Sequence, residues 1–566
     1  MNKIILKRGR EESLRRFHPW VFSGAVAQIV GNVIEGEVVE VVNSEGQFIA
    51  YGHYQIGSIS VRVLSFHQTF TPTDATPADA TRASATTDAT DKKSTHASEA
   101  AKPTHVPEAA DDTEPRCAFF GVDFWVDKLS KALAMRKLSG VVSSNTTAYR
   151  LVHGEGDSLP GLIIDIYKGT AVLQAHSAGM FLSRKLIATA LKICYGDELI
   201  AVYDKSEGTA PFKAGLNLCD GYLLGGTATS QATTLTSNAA SNSTVAAQNT
   251  PAQSTTTLTA TSQATTSDQS TTTVTTAAQS TTPDQSTTSV TTATQSTTPD
   301  RNVTSFGSID GCENTAELSA GESIVLENGN KFIVNWEKGQ KTGFFLDQRD
   351  NRALVGEYSN GKKVLNLFCY TGGFSVYALA NGARKVVSVD SSKTAIEMLV
   401  RNIKVNNFTN TSPASSSEPA PSTQAASNAS LSVAAETVCS AERRHEAVCA
   451  DAIDYLRTVK NGEFDVIIVD PPAFAKHRGA INNALRAYTR LNANAIEKVA
   501  KGGIVFTYSC SQVVDSKAFA LAVFSAAARV GRNVKILRRL TQPADHPVNI
   551  YHPEGEYLKG LVLYVE

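Results

Sequence analysis

Three short strings carry side chains suited to chemistry. Tyr508-Ser-Cys-Ser511 places Cys510 between two serines, directly after the apolar run Ile504–Thr507. A cysteine there can serve as a nucleophile once nearby positive charge favours loss of its proton. Lys476, His477 and Arg478 are candidates for that charge. Asp470-Pro-Pro-Ala-Phe474 follows a second apolar run, Phe464–Val469, and its carboxylate and carbonyls can accept hydrogen bonds from an amine. The third string, Phe368-Cys-Tyr-Thr-Gly-Gly373, is a turn in which Gly372 and Gly373 let the backbone approach a ligand. Phe368 and Tyr370 belong to the same contact set. Asp390 lies 17 residues beyond Gly373, where an acid accepts hydrogen bonds from ribose hydroxyls. Val448-Cys-Ala-Asp451 adds Asp451, placed to read an adenine amino group. Cys369 lies inside the turn, where packing is its expected role.

These residues need a scaffold that brings them to one edge. Lys363–Phe368 reads as a strand, Ser375–Asn381 as a helix, Lys385–Val389 as a second strand ending at Asp390, and Ile396–Val405 as a second helix. A third strand ends at Asp451, a fourth runs from Phe464 to Asp470, and Ile504–Thr507 is the next. In a parallel sheet all their carboxyl ends share the rim where ligands bind. The turn departs from G-x-G-x-x-G, which counts against a nicotinamide or flavin. The order of elements resembles a class I S-adenosylmethionine-dependent methyltransferase. Two transfers then compete. An acid-Pro-Pro-aromatic loop resembles that of amine methyltransferases, although Ala473 is an extra residue before the aromatic. Methylation at pyrimidine C5 instead requires a thiolate to add to C6 first, which Cys510 could supply.

Composition at first argues against a nucleic-acid partner: 53 basic and 54 acidic residues leave a net charge of −1. Yet the 566 residues include three Ser/Thr/Ala-rich inserts, 69–115, 227–312 and 408–445, and Gln279–Asp284 recurs 16 residues later as Gln295–Asp300. Such segments bury too little apolar surface to offset the entropy of ordering, so they are expected to be disordered. The remaining 395 residues hold 46 bases and 38 acids, a net +8 that reopens a polyanionic partner. Eight cysteines without a C-x-x-C pair argue against disulfides and a zinc site, so no metal is expected. Neither a signal peptide nor a membrane span is expected, which suggests a cytoplasmic protein.

Arg16-Phe-His-Pro-Trp-Val-Phe-Ser-Gly24, Gly154-Glu-Gly-Asp-Ser-Leu-Pro-Gly161, Glu337–Arg352, Asp545-His-Pro547 and Pro553–Gly560 together resemble one family, the bacterial 23S ribosomal RNA large-subunit methyltransferase I family, which makes 5-methylcytosine. These strings span the chain outside the inserts. The departures are the inserts themselves and Asn366, where many relatives carry an acid.

The resemblance implies an α/β fold with three parts. Residues 1–68 would form a PUA domain, a small RNA-binding β-barrel; 116–226 and 313–340 a central α+β domain that helps hold RNA; and 341–566 a Rossmann-like class I methyltransferase sheet. Strands at Gly36–Val42 and Ser58–Leu64 suit the first part. Its cations Lys3, Lys7, Arg8, Arg10, Arg15 and Arg16 suit phosphate contacts, although Glu11 and Glu12 interrupt them. By the same resemblance Gln340–Asn351 would cover the methionine end of S-adenosylmethionine, with Thr342 and Gln348 in contact, while Phe344 and Phe345 fit a core equally well. Cys510 would add to cytosine C6, and Asp470 would contact the cofactor and the N3/N4 edge of the base. The residue that removes the C5 proton is unassigned. The target, in 23S ribosomal RNA, would have to be unpaired or flipped out. A homodimer stays open. The competing readings are N-methylation of guanine or adenine through Asp470–Phe474, and an RNA-binding protein that kept the fold without catalysis.

Overall fold

The computed structural model describes residues 1–67, 119–210, 215–226, 318–408 and 444–566. The inserts expected over 69–115 and 227–312, and most of the one over 408–445, lie outside the described residues. The edges of the third are corrected: Phe408 packs against the core, and His445 opens a strand by pairing with Val386.

The amino-terminal residues form a six-stranded sheet in the order Trp20–Phe22, Ile59–Ser65, Phe48–Tyr54, Val38–Val42, Lys3–Leu6, Val26–Val30. Ile4, Leu6, Val21, Val39, Val41, Ala50 and Val61 fill its small core. A second, five-stranded sheet runs Gly221–Leu224, Ala201–Asp204, Thr170–Ala175, Leu162–Tyr167, Ala148–His153. Helices Val122–Leu138 and Arg184–Tyr195 cover it and bury Trp125, Leu129, Ile187 and Leu191. The hairpin Glu322–Glu327/Asn330–Asn335 is tied to this sheet by reciprocal bonds of 2.9 Å between Leu326 and Thr147.

The carboxyl-terminal sheet has seven strands: β1 (Lys363–Leu367), β2 (Lys385–Asp390), β3 (His445–Cys449), β4 (Phe464–Val469), β5 (Val499–Ser509), β6 (Val534–Leu540) and β7 (Lys559–Val565). Their order is β3-β2-β1-β4-β5-β7-β6, with β1 to β5 parallel and β7 antiparallel to both neighbours. Val364, Leu365 and Leu367 of β1 and Val466–Val469 of β4 are buried, as continuous apolar runs must be when helices cover both faces. Those helices are α1 (Arg349–Glu357), α2 (Gly373–Ala380), α3 (Lys393–Val405), α4 (Ala452–Thr458), α5 (Ile481–Lys498) and α6 (Ser516–Val530). Strand order reverses between β1 and β4, which opens a crevice at their carboxyl ends.

Two helices start earlier than their apolar periodicity predicts. Gly372, at φ +84°, caps α2, and the Ser392 hydroxyl accepts the Ala395 N–H (3.2 Å) to start α3. Strand β5 outruns the apolar stretch Ile504–Thr507 at both ends, so Cys510 is the first residue beyond it. No helix among the described residues is long and apolar enough to cross a membrane.

Candidate active site

Two serines fix the backbone around Cys510. Ser509 Oγ donates to the buried Tyr488 hydroxyl of α5 (2.9 Å), which lies 3.4 Å from Ser511 Oγ. Ser511 Oγ also accepts the Ala475 N–H (3.3 Å), joining the turn after β5 to the loop after β4. Cys510 is half-buried between them, on the rim with Asp470.

The electrostatics differ from expectation. Burial pushes the Cys510 thiol up to about 11, the charges on Asp470 and Asp347 act the same way, and Lys341 opposes them. Lys476, His477 and Arg478 are exposed, and the cation bearing on the thiol is Lys341 instead. Burial, reinforced by Asp347, also pushes the Asp470 carboxyl up to about 7, against the Gln348 amide (3.0 Å), Lys341 and Arg352. Burial works against ionisation of Asp347 as well, but Lys341, His546 and the Tyr557 hydroxyl (2.7 Å) hold it well below the usual carboxylate range. Asp470 is therefore held part-protonated near neutrality while Asp347 stays ionised.

The turn after β1 shows how a cofactor can be held. Phe368 and Tyr370 take left-handed φ values of 58° and 47°, and Asp390 accepts the Tyr370 N–H (2.9 Å) and the Ser392 N–H (2.9 Å). Asp390 is half-buried at the end of β2, with acceptor capacity to spare for hydroxyls. Asp451 caps α4 through Oδ1, and its Oδ2 carries no bond to a described residue. Inside the sheet Asn366 Oδ1 is buried without a partner among the described residues, although its Nδ2 donates to Ser375 (2.8 Å). A strained backbone turn, two open acids and an orphaned amide oxygen fit an adenosine-bearing group.

The other residues singled out have the following surroundings. Thr342 is buried, donating to Asp165 (2.5 Å) and meeting the Tyr167 hydroxyl (3.0 Å), so it braces the central sheet instead of a ligand. Gln348 is buried too; its oxygen accepts from Asn351 (2.6 Å) and its amide orients Asp470. Gly372 and Gly373 are required by packing: a Cβ would sit 2.3 Å from Leu399 Cδ1 and 2.9 Å from Arg352 Cδ respectively. Cys369 is buried and burial pushes its thiol far up, as a packing residue requires. Phe344 packs against Phe332 in the core with its ring tilted by 36°, while Phe345 meets Tyr370 edge-on at 5.1 Å.

A cavity of about 1170 Å³ opens beside this site, lined by Trp20 and Arg62 of the first sheet, His176 of the second, and Lys341, Arg478 and His552 of the third part. The quoted strings converge here. Trp20 Nε1 donates to Glu155 (2.9 Å) and its ring meets His552 at 4.3 Å. A Cβ on Gly156 would lie 2.0 Å from the Pro547 carbonyl, so only glycine fits. Among the amino-terminal cations, Lys3 pairs with Glu40 (3.2 Å), Lys7 donates to the Gly24 carbonyl (3.0 Å) and Arg16 approaches Glu12 (3.9 Å). Arg8, Arg10 and Arg15 are exposed and pair with no acid among the described residues. Lys341, Asp347, Tyr488, Tyr557 and Lys559 were not singled out by sequence. The available signal was that all but Tyr488 fall within the strings Glu337–Arg352 and Pro553–Gly560.

Sheet order, glycine turn and rim acids define a class I S-adenosylmethionine-dependent methyltransferase. Family models agree: a PUA-like domain matches residues 4–66, an S-adenosylmethionine-dependent methyltransferase 278–412, and an FtsJ-like methyltransferase 346–532. Similar proteins named "Ribosomal RNA large subunit methyltransferase I" occur in Photobacterium profundum and Shewanella amazonensis, each 30% identical over 100% of this chain and 99% of the relative. The one from Aeromonas hydrophila is 29% identical over 99% and 98%. The chain belongs to the ribosomal RNA large subunit methyltransferase I family and is an S-adenosylmethionine-dependent ribosomal RNA methyltransferase. Its fold matches a solved putative methyltransferase complexed with SAH (TM-score 0.59, 17% identity) and a putative SAM-dependent methyltransferase from Streptococcus mutans (TM-score 0.58, 17% identity), each over 100% of both chains.

Proposed function

We propose that this enzyme methylates C5 of a cytosine in 23S ribosomal RNA through a covalent adduct on Cys510. The observation that carries the reading is a thiol fixed at the end of β5 by the Ser509–Tyr488–Ser511 bonds and tied through Ala475 to the loop that bears Asp470. Deprotonated Cys510 forms a bond to C6, and the C5=C6 electron pair makes C5 nucleophilic. S-adenosylmethionine, when bound, supplies the electrophilic methyl group, and Asp390, Asp451 and the Phe368–Gly373 turn are the residues that would hold it. Loss of the C5 proton to water then restores the double bond as the C6–S bond breaks and the thiolate leaves. Incubating the wild-type protein with 23S ribosomal RNA fragments carrying 5-azacytidine should give a stable protein–RNA adduct at Cys510. Absence of adduct under conditions of active methylation would sink the mechanism.

Asp470 suits the cytosine edge because a protonated carboxyl donates to N3 and accepts from the N4 amine, whereas the carboxylate can only accept. The rise of methylation with pH at saturating RNA should therefore break to a flat limb above about 7, where loss of the Asp470 proton offsets the growing thiolate fraction of Cys510. Asp470→Asn keeps a donor and an acceptor but transfers no proton. It should lower kcat by about 10²-fold with little change in KM and erase that pH limb, measured as single-turnover rates between about pH 6 and 9. A carboxyl that holds its proton to about 7 when folded, against 3.8 for an ordinary aspartate, costs stability as pH rises across that window, and the same variant should remove this loss.

A further inference from the structure

Lys559 is a buried ammonium that the chemistry above does not use. It lies in β7 opposite Ser509 of β5, and its Nζ donates to the Ser511 carbonyl (2.6 Å) and the Tyr557 carbonyl (2.6 Å). It thus reaches along the turn that carries Cys510. Only 5% of the residue is exposed, and no carboxylate among the described residues pairs with it. The two carbonyl oxygens take two of its three N–H donors and leave a full charge uncompensated, an expensive state for a buried ion. Lys341, the other cation near the thiol, is exposed, lies 3.5 Å from Asp347 and rests over the Phe345 ring at 4.4 Å, so its charge is already shared.

We propose that Lys559 is the counter-ion of the Cys510 thiolate: a positioning residue that holds the charge left when the thiol gives its proton to water, and again when the C6–S bond breaks. The proposal rests on the reading of Cys510 as nucleophile. The groups facing the pair are consistent with it. Asp470, Asp347 and Tyr488 surround the thiol with acids or a neutral hydroxyl, while Glu556 and Asp515 act on Lys559 only from beyond pairing distance. Burial lowers the lysine and the Cys510 thiol opposes that fall ahead of Glu556 and Asp515, while Lys341 is the cation that acts on the thiol itself.

The test is the pH dependence of Cys510 alkylation by iodoacetamide in the full chain, followed on the Cys510 peptide by mass spectrometry. In Lys559→Met the midpoint should rise by at least one pH unit, slowing alkylation at a fixed lower pH by about tenfold, and Lys559→Arg should restore most of the rate. Lys559→Gln, which keeps a donor for the two carbonyls without the charge, carries the same measurement if the methionine variant does not fold. An unchanged midpoint in a folded Met or Gln variant, or a larger shift from Lys341→Met, overturns the pairing. Alkylation involves no methyl transfer, so the two readings fail separately. Full methylation by Cys510→Ala would remove the nucleophile, and an unmoved midpoint would remove only its counter-ion.

Discussion

Cys510→Ala should lower methyl transfer to ribosomal RNA by roughly 10⁴-fold or more, the loss that follows deletion of a covalent nucleophile. Pyrimidine C5 is a poor nucleophile by itself, and without addition at C6 nothing in the rim raises its reactivity. The adduct with 5-azacytidine RNA should disappear in the same variant. Folding and cofactor binding should be spared, because Cys510 is half-buried beyond the end of β5 and the bonds that shape its turn belong to Ser509, Ser511, Tyr488 and Ala475. Cys510→Ser should not rescue, since an alkoxide is far harder to form than a thiolate in a site whose burial already holds the thiol up to about 11. Single-turnover methylation, with S-adenosylmethionine binding measured on the same sample, checks the prediction. A Cys510→Ala enzyme within tenfold of wild type would return the choice to amine methylation through Asp470–Phe474.

The second large effect is on stability. Glu327 lies at the end of the central hairpin, fully buried, and accepts both arms of Arg352 (2.7 and 2.6 Å) and the Tyr377 hydroxyl (3.1 Å). Arg349 lies 3.7 Å from the same carboxylate and donates to Asp545 (2.9 Å), which also accepts the Arg150 N–H (3.0 Å) and lies 3.0 Å from His546 Nδ1. Replacing a buried ion pair by a matched apolar group can be neutral, but removing one partner strands the other charge in a low-dielectric interior. Glu327→Ala leaves Arg352 without its carboxylate and Arg349 short of one, so it should cost about 3–5 kcal/mol. Urea unfolding followed by tryptophan fluorescence measures it, and a loss under about 1 kcal/mol would show that water or another acid compensates the arginines.

What could be read in the sequence was what is local. The apolar runs of β1, β4 and β5 are continuous because both faces are buried, so the rim and the positions of Asp390, Asp470 and Cys510 followed from where each run stops. What could not be read depends on partners distant in the chain. Nothing around Thr342 announces that Asp165 takes its hydroxyl, and nothing around Gly372 shows that Leu399 occupies the space of a side chain. The cation near Cys510 was sought in the adjacent run Lys476–Arg478, whereas the one that bears on the thiol is Lys341, distant in the chain. Charge counts find basic residues but not which are already paired: Lys3 and Arg150 pair with acids, and Arg8 pairs with none among the described residues.

The segment between β6 and β7 has a mechanical meaning. Asp545 is bonded to the central sheet, Asn549 donates to the Glu155 carbonyl (3.3 Å), and His552 lies against Trp20, so one strap laces all three sheets around the cavity. If those contacts hold while RNA binds, the cavity keeps its shape and the work of bringing a base to the rim falls on the RNA. Unstacking a nucleotide costs a few kcal/mol, least where it is already unpaired. Selection of the target then depends on how readily each stretch of ribosomal RNA yields, as well as on the letters it spells.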